Sequence, residues 1–228
     1  MLNIAIIIPA FNEEHSIAKV LKDIPKHLVN EIVVVNNNST DNTAKVATEN
    51  GAIVLTEKKQ GYGAACLKGI EYCKNKGSKP DIIVFMDADY SDYPEELPLI
   101  IQPILDKTAE MVIGSRALGN RENGSMTIPQ IFGNWLATNL LYLFYKVKYT
   151  DLGPFRAITW SALMALKMED QNYGWTVEMQ IKAAKLKIKS VEVAVNYRNR
   201  IGVSKVSGTV KGTIMAGYKI IFTLFKYI

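Results

Sequence analysis

The chain has 228 residues, 48% of them hydrophobic and 21% charged, which is enough for one domain with a full core and is not the composition of a disordered protein. Its formal net charge is +5, which suits an anionic partner such as a phosphorylated substrate or an acidic membrane surface. No run of Lys and Arg is long enough to favour nucleic acid, and Cys66 and Cys73 fall in one helical pattern where neither a disulfide framework nor a metal pair is expected.

Asn3 to Ile8 is a short apolar run stopped by Pro9, which reads as a central strand. It has no basic lead, so it reads as a strand rather than a signal peptide, and the chain is expected to stay in the cytoplasm. Pro9-Ala10-Phe11-Asn12-Glu13-Glu14 opens a helix to about Asp23, with Asn12 as N-cap and both glutamates in the first turn. Glu31 to Val35 is a second strand, ended by Asn36-Asn37-Asn38-Ser39-Thr40-Asp41, and a helix follows to Asn50. Ala52 to Leu55 is a third strand. Gly61-Tyr62-Gly63-Ala64-Ala65 opens a helix to about Asn75, its small residues permitting close backbone approach. Ile82 to Asp87 is a buried strand, apolar until its last position. Pro94-Glu95-Glu96 starts a helix, and Met111 to Ile113 is the next strand, running into Gly114-Ser115-Arg116.

Strands alternating with helices at short spacing predict an α/β fold with a parallel sheet and right-handed crossovers. The strand ends carry polar clusters, at Pro9 to Glu13, Asn36 to Asp41, Asp87 to Asp92, and Ser115 with Arg116. In a parallel sheet these share one edge, where a nucleotide-type ligand is expected to lie. Residues two apart in a strand share a face, so Asp87 and Asp89 can converge on one hard divalent cation, Mg2+ or Mn2+.

Gln130 to Tyr149 is long, apolar and aromatic, but Asn134 and Asn139 interrupt it. A spanning helix needs about 20 apolar residues, so an amphipathic helix fits better, partly core and partly membrane-facing. Tyr173 to Met179 opens a further helix, and Lys189 to Arg198 alternates as a strand leading into Arg200-Ile201-Gly202-Val203-Ser204-Lys205. Arg and Lys on such a loop suit phosphate oxygens. From Thr209 the tail reads as a helix with Lys211, Lys219 and Lys226 along one side and Ile214, Tyr218, Ile221, Phe222 and Phe225 over much of the rest. Lysines spaced so evenly argue against a spanning helix, since each costs about 3 kcal/mol near the bilayer centre. A helix lying in the interface of an anionic membrane is expected instead, the rival being a last helix packed on the domain.

The ordered set Pro9-Ala10-Phe11-Asn12-Glu13, Asn36 to Asp41, Gly61-x-Gly63-x-Ala65, Asp87-Ala88-Asp89 and Gly114-Ser115-Arg116 resembles the inverting family-2 glycosyltransferases of the GT-A fold. Asp151-Leu152-Gly153-Pro154-Phe155-Arg156-Ala157 and Arg200 to Lys205 resemble, within that family, the dolichyl- and polyprenyl-phosphate sugar synthases. The resemblance implies a mostly parallel Rossmann-like sheet, a nucleotide-sugar-binding half over 1–116 and an acceptor half over 117–208, while the tail at 209–228, beyond the resemblance, is expected from its residue pattern to associate with a membrane. It implies nucleotide-sugar contacts from Pro9, Ala10, Phe11, Glu13, Asn37, Gly63, Asp87 and Ala88, and a metal on Asp87 and Asp89. Asp89, Arg116 and Glu178 become the catalytic candidates, and Arg116, Arg200, Ser204 and Lys205 the acceptor-phosphate contacts.

Two departures from the family pattern bear on specificity. Asn36-Asn37 replaces a usual Asp-Asp, and an amide matches the N–H and C=O of a pyrimidine better than the adjacent donors of guanine. Tyr90-Ser91-Asp92 replaces the Leu-Gln that follows the metal pair in mannosyl synthases, which leaves the sugar open. The implied reaction is inverting transfer of a hexose to a polyprenyl phosphate, with the enzyme peripheral on the cytoplasmic face of the membrane. A phosphate acceptor has a second pKa of about 6 and needs no strong base. A hydroxyl acceptor would need one, with Glu178 or Asp151 as candidates. The rival readings are a soluble glycosyltransferase with a hydroxyl acceptor, a non-catalytic nucleotide-sugar-binding protein and a sugar-1-phosphate nucleotidyltransferase, whose Gly-rich, Arg-containing N-terminal loop this chain lacks.

Overall fold

The computed structural model describes residues 2–202 and 210–227, with the backbone alone for 210–214 and 216. The strands are β1 (Ile4–Ala10), β2 (Glu31–Asn36), β3 (Ile53–Thr56), β4 (Ile82–Phe85), β5 (Met111–Ser115), β6 (Arg156–Thr159) and β7 (Ser190–Ala194). The helices are α1 (Ile17–Asp23), α2 (Thr43–Glu49), α3 (Tyr62–Asn75), α4 (Leu97–Leu105), α5 (Ile128–Tyr145), α6 (Trp160–Leu166), α7 (Trp175–Lys185) and α8 (Val210–Lys226). Among the described residues the strands form one sheet of order β3-β2-β1-β4-β6-β5-β7. β1 pairs in parallel with both β2 and β4, and β5 pairs in parallel with β7.

The central strands are apolar throughout because both sheet faces are covered. Ile4, Ile6 and Ile8 join Val34 and Val84 in a core with α1 and α4, while Ala5 and Ile7 join Val33, Val35, Ile83 and Phe85 in a second core with α3, α5 and α7. Full burial of each branched side chain contributes about 2 kcal/mol.

The structure amends the reading of the sequence in four places. β1 runs through Pro9 to Ala10, with Pro9 opposite Val35. The first helix starts at Ile17, after a loop in which Asn12 takes a left-handed φ of 54°. The sheet is not wholly parallel, since β6 runs antiparallel to both β4 and β5. The short helix α6, which the sequence did not announce, follows it directly. α5 lies close to its expected span, opened by a Thr127–Gln130 capping box.

Helix α8 packs on α5 and α7 with Thr223 and Leu224 buried. The rings of Phe144 and Phe225 meet edge-on at 5.7 Å. Lys219 and Lys226 pair with Asp170 at 2.8 Å and Glu169 at 3.1 Å. The exposed face of α8 carries Met215, Tyr218, Phe222 and Phe225.

Candidate active site

β1 and β4 are neighbours whose crossovers leave in opposite directions along the sheet, so a crevice opens at their carboxyl ends. The loop after β1 is fixed by the Asn-rich turn after β2. Asn12 donates its N–H to Ser39 Oγ at 3.0 Å and accepts from Thr40 N at 2.8 Å. Glu13 donates its N–H to Thr43 Oγ1 at 2.7 Å. Its carboxylate is buried, accepting from Ser16 Oγ at 2.9 Å and from Arg200 Nη2 at 2.6 Å.

The backbone turns at Asp87-Ala88-Asp89 into Tyr90, whose φ is 66°. Asp89 caps this turn, its Oδ1 accepting from both the N–H and the hydroxyl of Ser91. Its Oδ2 lies 3.0 Å from Arg200 Nη1. One guanidinium thus bridges Glu13 and Asp89 across the crevice. Asp87 Oδ1 is buried with no hydrogen-bond partner. Burial, then the neighbouring Asp89, pushes the Asp87 carboxyl up to about 7, against Tyr62, Arg200 and Arg116, which favour its charged form. An orphaned carboxylate oxygen, with a guanidinium already standing over its neighbour, is what a divalent cation fits. Among the described residues no three His, Cys, Asp or Glu side chains converge closely enough to hold a metal by themselves. A cation here would take Asp87 and Asp89 and complete its shell from ligand oxygens and water.

Asn37 is turned to a different task from the one expected. Its Nδ2 donates to the carbonyls of Glu57 at 3.1 Å and Lys59 at 2.7 Å, and its Oδ1 accepts from Gly61 N at 2.8 Å. The amide clasps the loop before α3, so its two donors are spent on backbone rather than on a base. A carboxylate could not donate to those carbonyls, which accounts for Asn at this position. Gly63 also stands apart from the crevice: a Cβ there would lie 2.0 Å from the Asp170 carbonyl oxygen. The close approach that its size permits is to backbone 170–171, and Ala64 N donates to Gln171 O at 2.9 Å.

On the far side, Arg116 forms a buried fork with Asp151, Nε to Oδ2 at 2.8 Å and Nη2 to Oδ1 at 2.7 Å. Arg116 N also donates to Oδ2 at 2.7 Å, and the guanidinium lies over the Tyr197 ring. Burial raises the Asp151 carboxyl, but Arg116 outweighs it and holds the group below its usual 3.8. Asp151 is therefore spent as a partner and is not placed to act as a base. Glu178 is also not brought to the crevice. It is 0% exposed, and its oxygens accept from the N–H groups of Glu169 at 2.9 Å and Asp170 at 2.7 Å and from Lys182 at 2.6 Å. Asp92 is buried with both oxygens unpartnered, and burial, then Asp87 and Asp89, drives its carboxyl well above the usual range. Ser204 and Lys205 lie outside the described residues.

The crevice is a cleft of about 780 Å³ lined on the sheet side by Pro9, Ala10, Phe11, Glu13, Asn37, Asp87, Ala88, Asp89, Arg116 and Arg200. Its other wall comes from Asn172, Tyr173 and Thr176, from Met126, Pro129 and Gly133 at α5, and from Gly217 and Ile220 of α8. Sequence reasoning missed Tyr62, whose hydroxyl sits against Asp87, and Arg156, whose fully buried guanidinium donates to the carbonyls of Leu152, Gly153 and Thr176. Tyr62 lies inside the glycine pair already singled out, so its neighbourhood was signalled although its role was not. α5 presents Ile128, Phe132, Trp135 and Leu143 to solvent beside the exposed face of α8. Among the described residues no helix is long and apolar enough to cross a membrane.

Relatives with this architecture are known. The chain is 29% identical over 97% of its length to a UDP-N-acetylglucosamine–dolichyl-phosphate N-acetylglucosaminyltransferase of Methanococcus voltae, covering 94% of that protein. It is 28% identical over 92% of its length to an undecaprenyl-phosphate mannosyltransferase of Micrococcus luteus, covering 90% of that protein. Glucosyl-3-phosphoglycerate synthase of Mycobacterium tuberculosis, crystallised with Mn2+, UDP and glucosyl-3-phosphoglycerate, superposes with a TM-score of 0.79 at 22% identity over 99% of this chain and 80% of that one. The GT-A fold expected from the sequence is therefore present. Residues 5–169 match the description "Glycosyl transferase family 2", and with the strand-end residues above carried on this fold, the chain belongs to that family of glycosyltransferases.

Proposed function

We propose that this enzyme transfers a hexose from a nucleotide-diphosphate sugar to a polyprenyl phosphate, with inversion, while resting on the cytoplasmic face of a membrane. The observation that carries the reading is the pairing of Asp87 and Asp89 with Arg116 and Arg200 in one cleft. Mg2+ or Mn2+ on the two carboxylates would neutralise the diphosphate as it leaves. Phe11, Ala10 and Pro9 offer an apolar wall for the nucleoside, and Arg200, released from Asp89, offers its fork to phosphate oxygens.

Two features favour a phosphate acceptor over a hydroxyl. The acidic residues among the described lining are Glu13, Asp87 and Asp89, all on the donor side. Asp151 and Glu178, which a hydroxyl would have needed as bases, are tied up elsewhere. An ionised phosphate monoester attacks without a base. A lipid acceptor is supported by the names of two relatives and by the apolar faces of α5 and α8 at the cleft mouth. A second reading, a small soluble phosphorylated acceptor, is favoured by the glucosyl-3-phosphoglycerate held by the solved structure of like fold.

The test is direct. Purified protein with MnCl2 and a panel of radiolabelled nucleotide sugars is offered undecaprenyl phosphate in detergent or 3-phosphoglycerate in buffer, and products are partitioned into organic solvent. Label in the organic phase supports the lipid reading. Label in aqueous glycosylated phosphoglycerate alone replaces it with the second.

A further inference from the structure

Glu178 heads a set of contacts that runs from the last helix to the loop before α3. Its carboxylate accepts from the Glu169 and Asp170 N–H groups, from Lys182 and, at 2.9 Å, from the hydroxyl of Tyr227 just beyond α8. This anchors the backbone at 169–170, and Asp170 in turn organises the segment that follows. Asp170 Oδ1 accepts from Asn172 N at 2.7 Å and Gly174 N at 3.2 Å, while Oδ2 pairs with Lys219 of α8. The far side of this segment is pressed on the start of α3. Gln171 O accepts from Ala64 N at 2.9 Å, and Cβ atoms at Gly61 and Gly63 would meet the carbonyl oxygens of Gln171 and Asp170 at 2.1 and 2.0 Å. Gly61 is itself clasped by Asn37, and Gln60, Gly61, Tyr62, Asn172 and Tyr173 all line the cleft.

We infer that Glu178 is a positioning residue for donor binding: through 169–174 it holds the Gln60–Tyr62 wall of the cleft and couples that wall to the docking of α8. The inference rests on the donor-site reading given above. It assigns Glu178 no contact with substrate. The side chain is sealed from the cleft and acts by fixing two backbone N–H groups that Gln cannot satisfy together, because one end of the amide is a donor.

The test uses full-length protein and calorimetric titration of UDP, GDP and dTDP, each with MnCl2, alongside steady-state kinetics with the nucleotide sugar that the wild type uses. Glu178→Gln should weaken nucleotide binding about tenfold, as expected for the loss of a hydrogen bond to a charged acceptor. It should raise the donor KM correspondingly and leave kcat within about twofold. Gly63→Ala strains the same contact from the other side and should give the same split, and the double variant should lose less than the sum of the two. Tyr227→Phe, a half-buried site where folding is not at stake, should raise the donor KM about twofold. The proposal is overturned if folded Glu178→Gln binds nucleotide as the wild type does, or if its kcat falls with KM unchanged and the acid limb of the pH profile disappears, which marks a base. If the wild type itself binds none of the three nucleotides, the donor-site reading falls and the inference falls with it.

Discussion

The two sides of the cleft are built differently. The proposed donor side is made of strand ends: Pro9 to Glu13 follow β1 and Asp87 to Asp89 follow β4, adjacent in the sheet and held by neighbouring turns. The proposed acceptor side is made of segments far apart in the chain. Arg116 meets Asp151 and Arg156 reaches Thr176. Local chemistry therefore dominates the first side and tertiary packing the second. Changes on the donor side should strike catalysis, and changes on the acceptor side should strike stability, binding or location.

The largest effect is expected at the metal pair. Asp89→Ala should abolish transfer and Asp87→Ala should nearly do so, a loss of about a thousandfold or more, with circular dichroism unchanged. EDTA should stop the wild type, and added MnCl2 should restore it. Activity retained in either variant would break the donor half of the comparison.

Next comes the buried fork across the cleft. Asp151→Asn leaves Arg116 without its charge partner and should cost about 3–5 kcal/mol in denaturant unfolding. The pH dependence follows from the lowered Asp151 value. Its contribution is full above the unfolded carboxyl value and is lost as pH falls through the lower folded one. Asp151→Asn should therefore flatten part of the acid side of the stability curve, and an unchanged acid limb would contradict the assignment.

Asn37→Asp sharpens the comparison from the donor side. A carboxylate facing the Glu57 and Lys59 carbonyls should cost about 1–3 kcal/mol of stability and raise the donor KM. Unchanged stability would mean that Asn37 is not the clasp seen here. Arg200→Ala should raise the KM for a phosphorylated acceptor while leaving metal-dependent nucleotide affinity equal or tighter, since Arg200 no longer competes for Asp89. Equal loss of both would place Arg200 on the donor. The smallest effect concerns location. Truncation after Gly208, or Phe222→Glu with Trp135→Glu, should reduce flotation with anionic vesicles, with high salt weakening the rest only in part. Full flotation of these forms would remove α5 and α8 as the contact.

Legibility in the sequence follows the same division. Strands buried on both faces write long apolar runs, and a strand end writes its ligand residues next to the run, so Asp87, Asp89 and Glu13 could be found in order. Asn37 was identified as special, but its clasp on the loop before α3 went unread, because its carbonyl acceptors lie twenty and more residues along the chain. β6 went unread because it is four residues long and begins with a buried arginine, a pattern that periodicity does not recognise. Glu178 sits in the first turn of α7, and from sequence a cleft-facing carboxylate and a buried backbone clamp look alike there. Only the distance to the Glu169 and Asp170 N–H groups separates them. Lys219 and Lys226 show the same limit: a lysine stripe gives no sign of its acidic partners, some fifty residues earlier in the chain.

Under the proposed function, the cleft joins a metal-bound nucleotide sugar to an acceptor that brings its own negative charge and needs no protein base. The most direct measurement offers the enzyme, with MnCl2 and its preferred nucleotide sugar, equal concentrations of a polyprenyl phosphate and the corresponding polyprenol. Transfer confined to the phosphate, with a rate nearly flat from pH 7 to 9, is the predicted result. Comparable transfer to the alcohol, rising with pH as a base is uncovered, would contradict it.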